Sequence, residues 1–289
     1  MKPMNMQYAP TGNEGSGQPK QILVATDFSS SAANAFEYAL ELAKVLRQDV
    51  CVLHAVGSLE GVNNNTYNAL YIEDYQNSKR EALKAWVDKF TERFAGVTVT
   101  TRVDVGSVSG SIVKYAEEQP VALIVMGASG STGISGLFGS NTSSVVIKTT
   151  TPVLIVPPES TFSAQPVITL ASDYDSRLSA SDVEGLNELI QAVGSGKLQV
   201  LNVVEKSDPA ALSAGEEALK KVITGAELVF NYLTDTDPTS GILNFIESSQ
   251  TDILCVVKHH HNVIYRIFTR STVNRVLNRS IKAVLVLHE

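Results

Sequence analysis

Short apolar runs alternate along the chain with longer stretches in which apolar residues recur every three or four positions. Ile22–Ala25 is a brief apolar run, and Ala32, Ala33, Phe36, Ala39, Leu40, Ala43 and Leu46 then follow at helical spacing. That sequence predicts a strand leading into an amphipathic helix. Val50–Leu53 predicts a second strand, closed by His54-Ala55-Val56, and the polar Asn63–Asn65 region predicts a loop. A long helix is expected from about Tyr71 to Phe94, with Leu83, Trp86, Val87 and Phe90 on one side. Val97–Val103 predicts a third strand, and Gly106–Gly110 turns into a helix carrying Ile112, Val113 and Ala116. Val121–Met126 and Pro152–Val156 predict strands four and five, with a short helix over Ser143–Lys148 between them.

The second half repeats the first. Ala171-Ser172-Asp173-Tyr174 copies Ala25-Thr26-Asp27-Phe28 at a shift of 146 residues. Ser240-Gly241 copies Ser109-Gly110 at a shift of 131, which also places Ser271 on Ser140, Val276 on Val145 and Arg279 on Lys148. The same shift sets Val284–Leu287 on Val153–Val156. Strands that are apolar throughout, alternating with helices, imply parallel sheets covered on both faces. Right-handed crossovers then give two tandem, doubly wound, mainly parallel five-stranded sheets. The expected division is a disordered lead over 1–20, domains over 21–158 and 167–289, and a Pro-rich linker over 159–166.

Composition narrows the function classes. The chain of 289 residues is 44% hydrophobic and 18% charged, which is globular composition. No apolar run approaches the ~20 residues of a membrane helix, and the N-terminus lacks an apolar segment of signal-peptide type. A cytoplasmic protein without membrane attachment is therefore expected. The net charge of −7 argues against general nucleic-acid binding. Cys51 and Cys255 each sit inside an apolar run and read as free buried thiols rather than a disulfide.

The candidate chemistry gathers where predicted strands end. Gly127-Ala-Ser-Gly130 follows the fourth strand, and Gly139-Ser140-Asn141-Thr142 precedes the short helix. Bare backbone N–H groups and a helix N-terminus make an anion cradle. No acidic residue occurs from Gly127 to Thr150. The competing reading is a flexible loop in which Ser140 only caps a helix. Asp27 could bond a ribose hydroxyl, a base N–H or a metal ion, or serve as an N-cap, and Asp173 carries the same ambiguity. Ligands in doubly wound sheets sit at the carboxyl ends of the strands, at the switch in strand order. Asp27, Ala55 and Gly127 would therefore meet at one edge.

In the second half, Lys258, His261 and Arg270 stand where the 131-residue shift puts the three glycines, so side chains are expected to fill that cradle. His259–His261 cannot readily aim three imidazoles at one ion. Lys258–Lys282 holds six Lys/Arg and no acid. It reads either as a solvated helix face or as a docking face for an anionic partner. No Ser-His-Asp order, Walker-type Gly-Lys-Ser/Thr, CxxC or HExxH motif is present.

Val24-Ala-Thr-Asp27-Phe-Ser29, Ala35-Phe-Glu-Tyr38-Ala39 and Leu53-His54-Ala55 resemble the start of a universal stress protein domain. Leu123–Gly130, Gly139–Thr142 and Thr151–Val156 resemble its end. From about residue 20 the chain looks like a tandem member of that family, with a Rossmann-like, adenine nucleotide alpha hydrolase-like fold. The resemblance implies ATP, with or without Mg, in the first domain. Ala25, Thr26, Ala55 and Met126 would line the adenine and ribose pocket, and Asp27 would contact the nucleoside. Gly127, Gly130, Gly139, Ser140, Asn141 and Thr142 would hold the phosphates. The family pattern has nine residues between the second and third glycines, where this chain has eight. The usual acid before the fourth strand is Ala122 here, while the second copy keeps Asp252. The family pairs domains through fifth strands, usually as homodimers. A tandem chain can make that pairing internally, Thr151–Val156 against Ala283–Leu287, giving an intramolecular pseudo-dimer that can dimerise further. The implied role is a stress-response sensor or regulator with an unnamed protein partner. The alternatives are a nucleotide-free scaffold docking a partner on the basic 258–282 face, and a slow ATPase or small-ligand carrier.

Overall fold

The computed structural model describes residues 20–57, 66–128, 139–172, 174, 178–204, 209–258 and 282–288, with backbone only for 66–72 and 204. The expected lead over 1–20 and the Asn63–Asn65 loop therefore lie, apart from Lys20, outside the described residues. The first half runs β1 (Gln21–Ala25), α1 (Ser30–Leu46), β2 (Val50–Val56), α2 (Thr66–Thr91), β3 (Val99–Val105), α3 (Val108–Glu118), β4 (Val121–Gly127), α4 (Ser140–Lys148) and β5 (Val153–Val156). The second runs β6 (Ile168–Ala171), α5 (Glu184–Val193), β7 (Lys197–Val204), α6 (Pro209–Val222), β8 (Glu227–Thr234), α7 (Pro238–Ser248), β9 (Ile253–Lys258) and β10 (Ala283–His288).

The ten strands form one sheet in the order β3-β2-β1-β4-β5-β10-β9-β6-β7-β8. Every neighbouring pair is parallel except β5 and β10, which run antiparallel with Leu154 opposite Leu285. The two expected five-stranded sheets are thus joined edge to edge through their last strands. The central strands β1, β5, β6 and β9 are buried almost throughout. Their continuous apolar runs follow from helices covering both faces. One face carries Phe36 and Leu40 of α1, Leu83 and Val87 of α2, Leu186 and Ile190 of α5, and Leu219 of α6. The other carries Ile112 of α3, Val145 and Val146 of α4, and Ile242 and Ile246 of α7. Among the described residues no helix is long and apolar enough to cross a membrane.

Polar contacts anchor the two ends of the connecting segment, each to its own half. Asn34 of α1 donates to the Pro157 and Ser160 carbonyls at 2.9 Å each. Asp252, the acid absent from the first half, accepts from the Val167 amide at 2.9 Å and lies 3.6 Å from the Lys282 ammonium. Both cysteines are buried and free, in β2 and β9.

Three expectations change. α2 begins at Thr66 rather than near Tyr71, and β2 continues through His54 and Ala55 instead of stopping at Leu53. α4 begins at Ser140, not Ser143. The internal repeat also shifts by one residue. The N-caps Ser107 and Asp237 and the C-caps Gln119 and Ser249 stand 130 residues apart, not 131. Strand register carries that offset on: Gly127 pairs with Val156 as Val257 pairs with Leu287. Val257, not Lys258, is therefore the counterpart of Gly127, and Lys258 is that of Ala128. The offset reaches 131 only at β5 and β10, so the extra residue of the second copy falls between β9 and β10. His261, Arg270, Ser271, Val276 and Arg279 lie outside the described residues.

Candidate functional site

The chain leaves β1 through a tight, strained turn. The Thr26 hydroxyl accepts from the Phe28 amide at 3.0 Å, and Phe28 sits in the left-handed region at φ 65°. The Asp27 carboxylate accepts from the Ser29 amide at 3.0 Å. Ser29, not Asp27, is the N-cap of α1, its hydroxyl accepting from Ala32 at 3.2 Å. That assigns the capping role away from Asp27 and leaves its side chain at the mouth of a cavity. His54 in β2 braces the turn: its Nδ1 donates to the Thr26 carbonyl at 2.9 Å and its ring packs 4.4 Å from that of Phe28.

β4 ends at Gly127, against the first turn of α1. A Cβ on Gly127 would lie 2.6 Å from the Ser31 hydroxyl and 2.9 Å from the Ser31 backbone carbon and oxygen. Glycine is required there by the approach of a neighbouring helix, a reason the loop pattern alone does not show. Across the cavity, α4 starts with Gly139 at its N-cap, a residue with no side chain to cap the helix. Ser140 occupies the first helical position and is exposed, so it does not serve as the cap. Among the described residues no side chain is seen to cap the first-turn amides of α4, which border the cavity. Thr142 is buried and ties this turn to β4, its hydroxyl donating to the Gly127 carbonyl at 3.2 Å.

Between these elements lies a cavity of about 260 Å³. It opens at the carboxyl ends of β1 and β4, where the strand order reverses. Ala25, Thr26, Asp27, Ala55, Met126, Gly127, Gly139, Ser140, Asn141 and Thr142 all line it. Of the residues named from sequence, Gly130 lies outside the described residues. Ala32, Leu53, Val108 and Ile112 also line the cavity and were not anticipated in that role. Val108 and Ile112 sit one helical turn apart on α3, a spacing that could have signalled a shared face. Of the buried lining residues, Ala25, Leu53, Ile112 and Met126 are apolar and Thr26 and Thr142 polar, whereas Asp27, Ser140 and Asn141 are exposed and polar. An apolar body and a polar end would both find matching surroundings. Among the described residues no group of three or more His, Cys, Asp or Glu is placed to hold a metal ion.

A family model described as the universal stress protein family matches residues 19–157. Universal stress protein YxiE of Bacillus subtilis is 32% identical over 146 residues, covering 47% of this chain and 97% of the relative. The chain belongs to the universal stress protein family. Universal stress protein MJ0577 of Methanocaldococcus jannaschii is 28% identical over 152 residues, covering 47% of this chain and 94% of its own length. A universal stress protein from Archaeoglobus fulgidus superposes with a TM-score of 0.72 over 93% of this chain and 98% of that one, at 22% identity. That likeness shows that the whole tandem architecture recurs in another protein of known structure.

The second half keeps the turn of the family fold and alters its surroundings. Tyr174 adopts φ 61°, and its amide donates to the Ser172 hydroxyl at 3.0 Å, as in the first half. Asn202 replaces His54 and donates to the Ser172 carbonyl at 2.9 Å. Asp173 lies outside the described residues. Residues 180–183 form a turn and α5 starts only at Glu184, whereas α1 begins five positions after β1. The glycine that admits the first turn of α1 is accordingly replaced by Val257. At the register position of Ala55 stands Val203, whose Cγ1 would lie 2.8 Å from a Cβ on Gly241 of α7. The expectation that Lys258 fills this half's cradle fails, because its ammonium donates instead to the Val146 and Ile147 carbonyls of α4.

Proposed function

We propose that the first half binds an adenine nucleotide, ATP in the first instance, and that the protein acts as a nucleotide-responsive regulator. The observation that carries this reading is the cavity beneath the side-chain-free N-cap of α4, at the switch in strand order. Ala25, Leu53, Ala55, Ile112 and Met126 would enclose the base. Asp27 would accept from a ribose hydroxyl. Gly139, Ser140, Asn141 and Thr142 would meet the phosphates with backbone amides and hydroxyls, and Gly130 would join them by the family pattern. An accompanying Mg would find the Asp27 carboxylate among the described lining residues. The residue lost between Gly130 and Gly139 shortens the loop, while the N-terminal turn of α4 still borders the cavity. The second half, with Val203 for Ala55 and Val257 for Gly127, is proposed not to bind nucleotide in this manner. Domain limits of 21–158 and 167–289 and a cytoplasmic setting accompany the proposal.

Calorimetric titration of ATP into wild type and Gly139→Asp tests it. Gly139 has φ −58°, which any residue adopts, and aspartate is a favoured N-cap. The substitution therefore preserves the helix while setting a carboxylate against the phosphates. Wild type should bind with Kd well under 1 mM, about −4 kcal/mol, and Gly139→Asp should bind at least roughly tenfold more weakly with its thermal midpoint unchanged or raised. Wild-type affinity no better than millimolar, or equal binding by both proteins, would defeat the reading.

A further inference from the structure

The helix whose N-terminal turn borders the first-half cavity is held at its other end by the second half. α4 has nine residues and spans about 13 Å. Its last carbonyls receive three hydrogen bonds from β9 and β10. The Lys258 ammonium donates to Val146 at 3.1 Å and to Ile147 at 2.8 Å, and His288 Nε2 donates to Val146 at 3.0 Å. Lys258 and His288 are register partners on adjacent strands, so the sheet presents both donors together. A carbonyl can only accept, which fixes the His288 proton on Nε2. Nδ1 is then buried without a partner, a cost the ring bears to make this contact. Burial likewise lowers the pKa of the Lys258 ammonium.

The device runs one way. By strand register the first-half counterparts of Lys258 and His288 are Ala128 and Pro157, neither of which has a side-chain donor. The half with Val257 at the glycine position thus holds the helix of the half that keeps the glycine.

We infer that Lys258 and His288 are positioning residues for the first-half cavity: they fix α4 by its C-terminal carbonyls so that its N-terminal turn faces a bound phosphate group. The cation at the C-terminus and an anion at the N-terminus both complement the helix dipole, so the contact favours the same arrangement that phosphate binding does. The inference rests on the nucleotide reading for its ligand, although the hold on α4 can be tested without one.

Two readouts separate the possibilities in the full chain. Without nucleotide, amide hydrogen exchange over Ser140–Lys148 should quicken in Lys258→Met relative to wild type and return in Lys258→Arg. With nucleotide, Lys258→Met should weaken ATP binding roughly two- to tenfold, leave adenosine binding unchanged, and be rescued by Lys258→Arg. A merely structural role would lower both affinities together. His288→Leu removes the remaining donor, should give the same split to a smaller degree, and serves if Lys258→Met does not fold. Unchanged exchange in α4, or equal effects on ATP and adenosine, would overturn the inference. If wild type binds neither ligand, the nucleotide reading falls, and the exchange result alone decides whether α4 is held from the second half.

Discussion

Gly127→Ala isolates the tightest contact at the site. The position has no unusual φ, so an alanine suffers from space alone. Its Cβ would lie 2.6 Å from the Ser31 hydroxyl, which a side-chain rotation can relieve. It would also lie 2.9 Å from the Ser31 backbone carbon and oxygen, which rotation cannot relieve. Restoring ordinary contact requires the first turn of α1 to back away by about half an ångström, and such overpacking costs about 1–3 kcal/mol. Replacing a strand glycine by alanine returns roughly 0.5–1 kcal/mol. The net expectation is a loss of about 1–2 kcal/mol, read as a fall of roughly 2–3 °C in apparent Tm by circular dichroism. Ala32, in the displaced turn, lines the cavity, so ATP binding should weaken in parallel. Gly57→Ala is the control, since a Cβ there meets nothing within 4 Å and should leave Tm level or slightly higher. An unchanged or raised Tm in Gly127→Ala would refute the claim that α1 dictates glycine at this position.

Two further outcomes are expected. Ala55→Val copies the second half's Val203 without its compensating glycine, since Ser111 stands at the register position of Gly241. The added methyls crowd Ser111 and the cavity, and ATP affinity should fall at least roughly tenfold; unchanged affinity would place the ligand elsewhere. His288 is held down to about 4, chiefly by burial and also by the nearby Lys258 cation, from an ordinary 6.5. The unfolded chain therefore takes up this proton first, and the stability contribution is intact above pH 6.5 and lost as pH falls from there through about 4. The full difference is about 3 kcal/mol. Urea melts across that range should show a slope that His288→Gln flattens; equal slopes would contradict it.

Much of the cavity was legible because strand ends can be found from apolar runs, and doubly wound sheets place those ends along one edge. Asp27, Ala55 and Gly127 could be brought together on that basis. What a residue does there was less legible. Gly127 reads as a loop glycine, and its requirement comes from Ser31, 96 positions earlier in the chain. Ser29 and Asp27 are both good N-caps by type, and only the turn geometry distinguishes them. Sequence identity favours a single shift of 131, which sets Lys258 one position from its structural place. The offset is 130 through β9 and changes only in the segment before β10. Its contact with α4 crosses the pseudo-twofold join, which local periodicity cannot reveal.

Adenine nucleotide is proposed to bind in the first half against the N-terminal turn of α4. Amide hydrogen exchange of the full chain with and without saturating ATP tests it most directly. Exchange should slow at Ser140–Thr142 and at the ends of β1 and β4, with β6, β7 and β9 unchanged. Protection confined to the second half, or no change anywhere in the first, would contradict it.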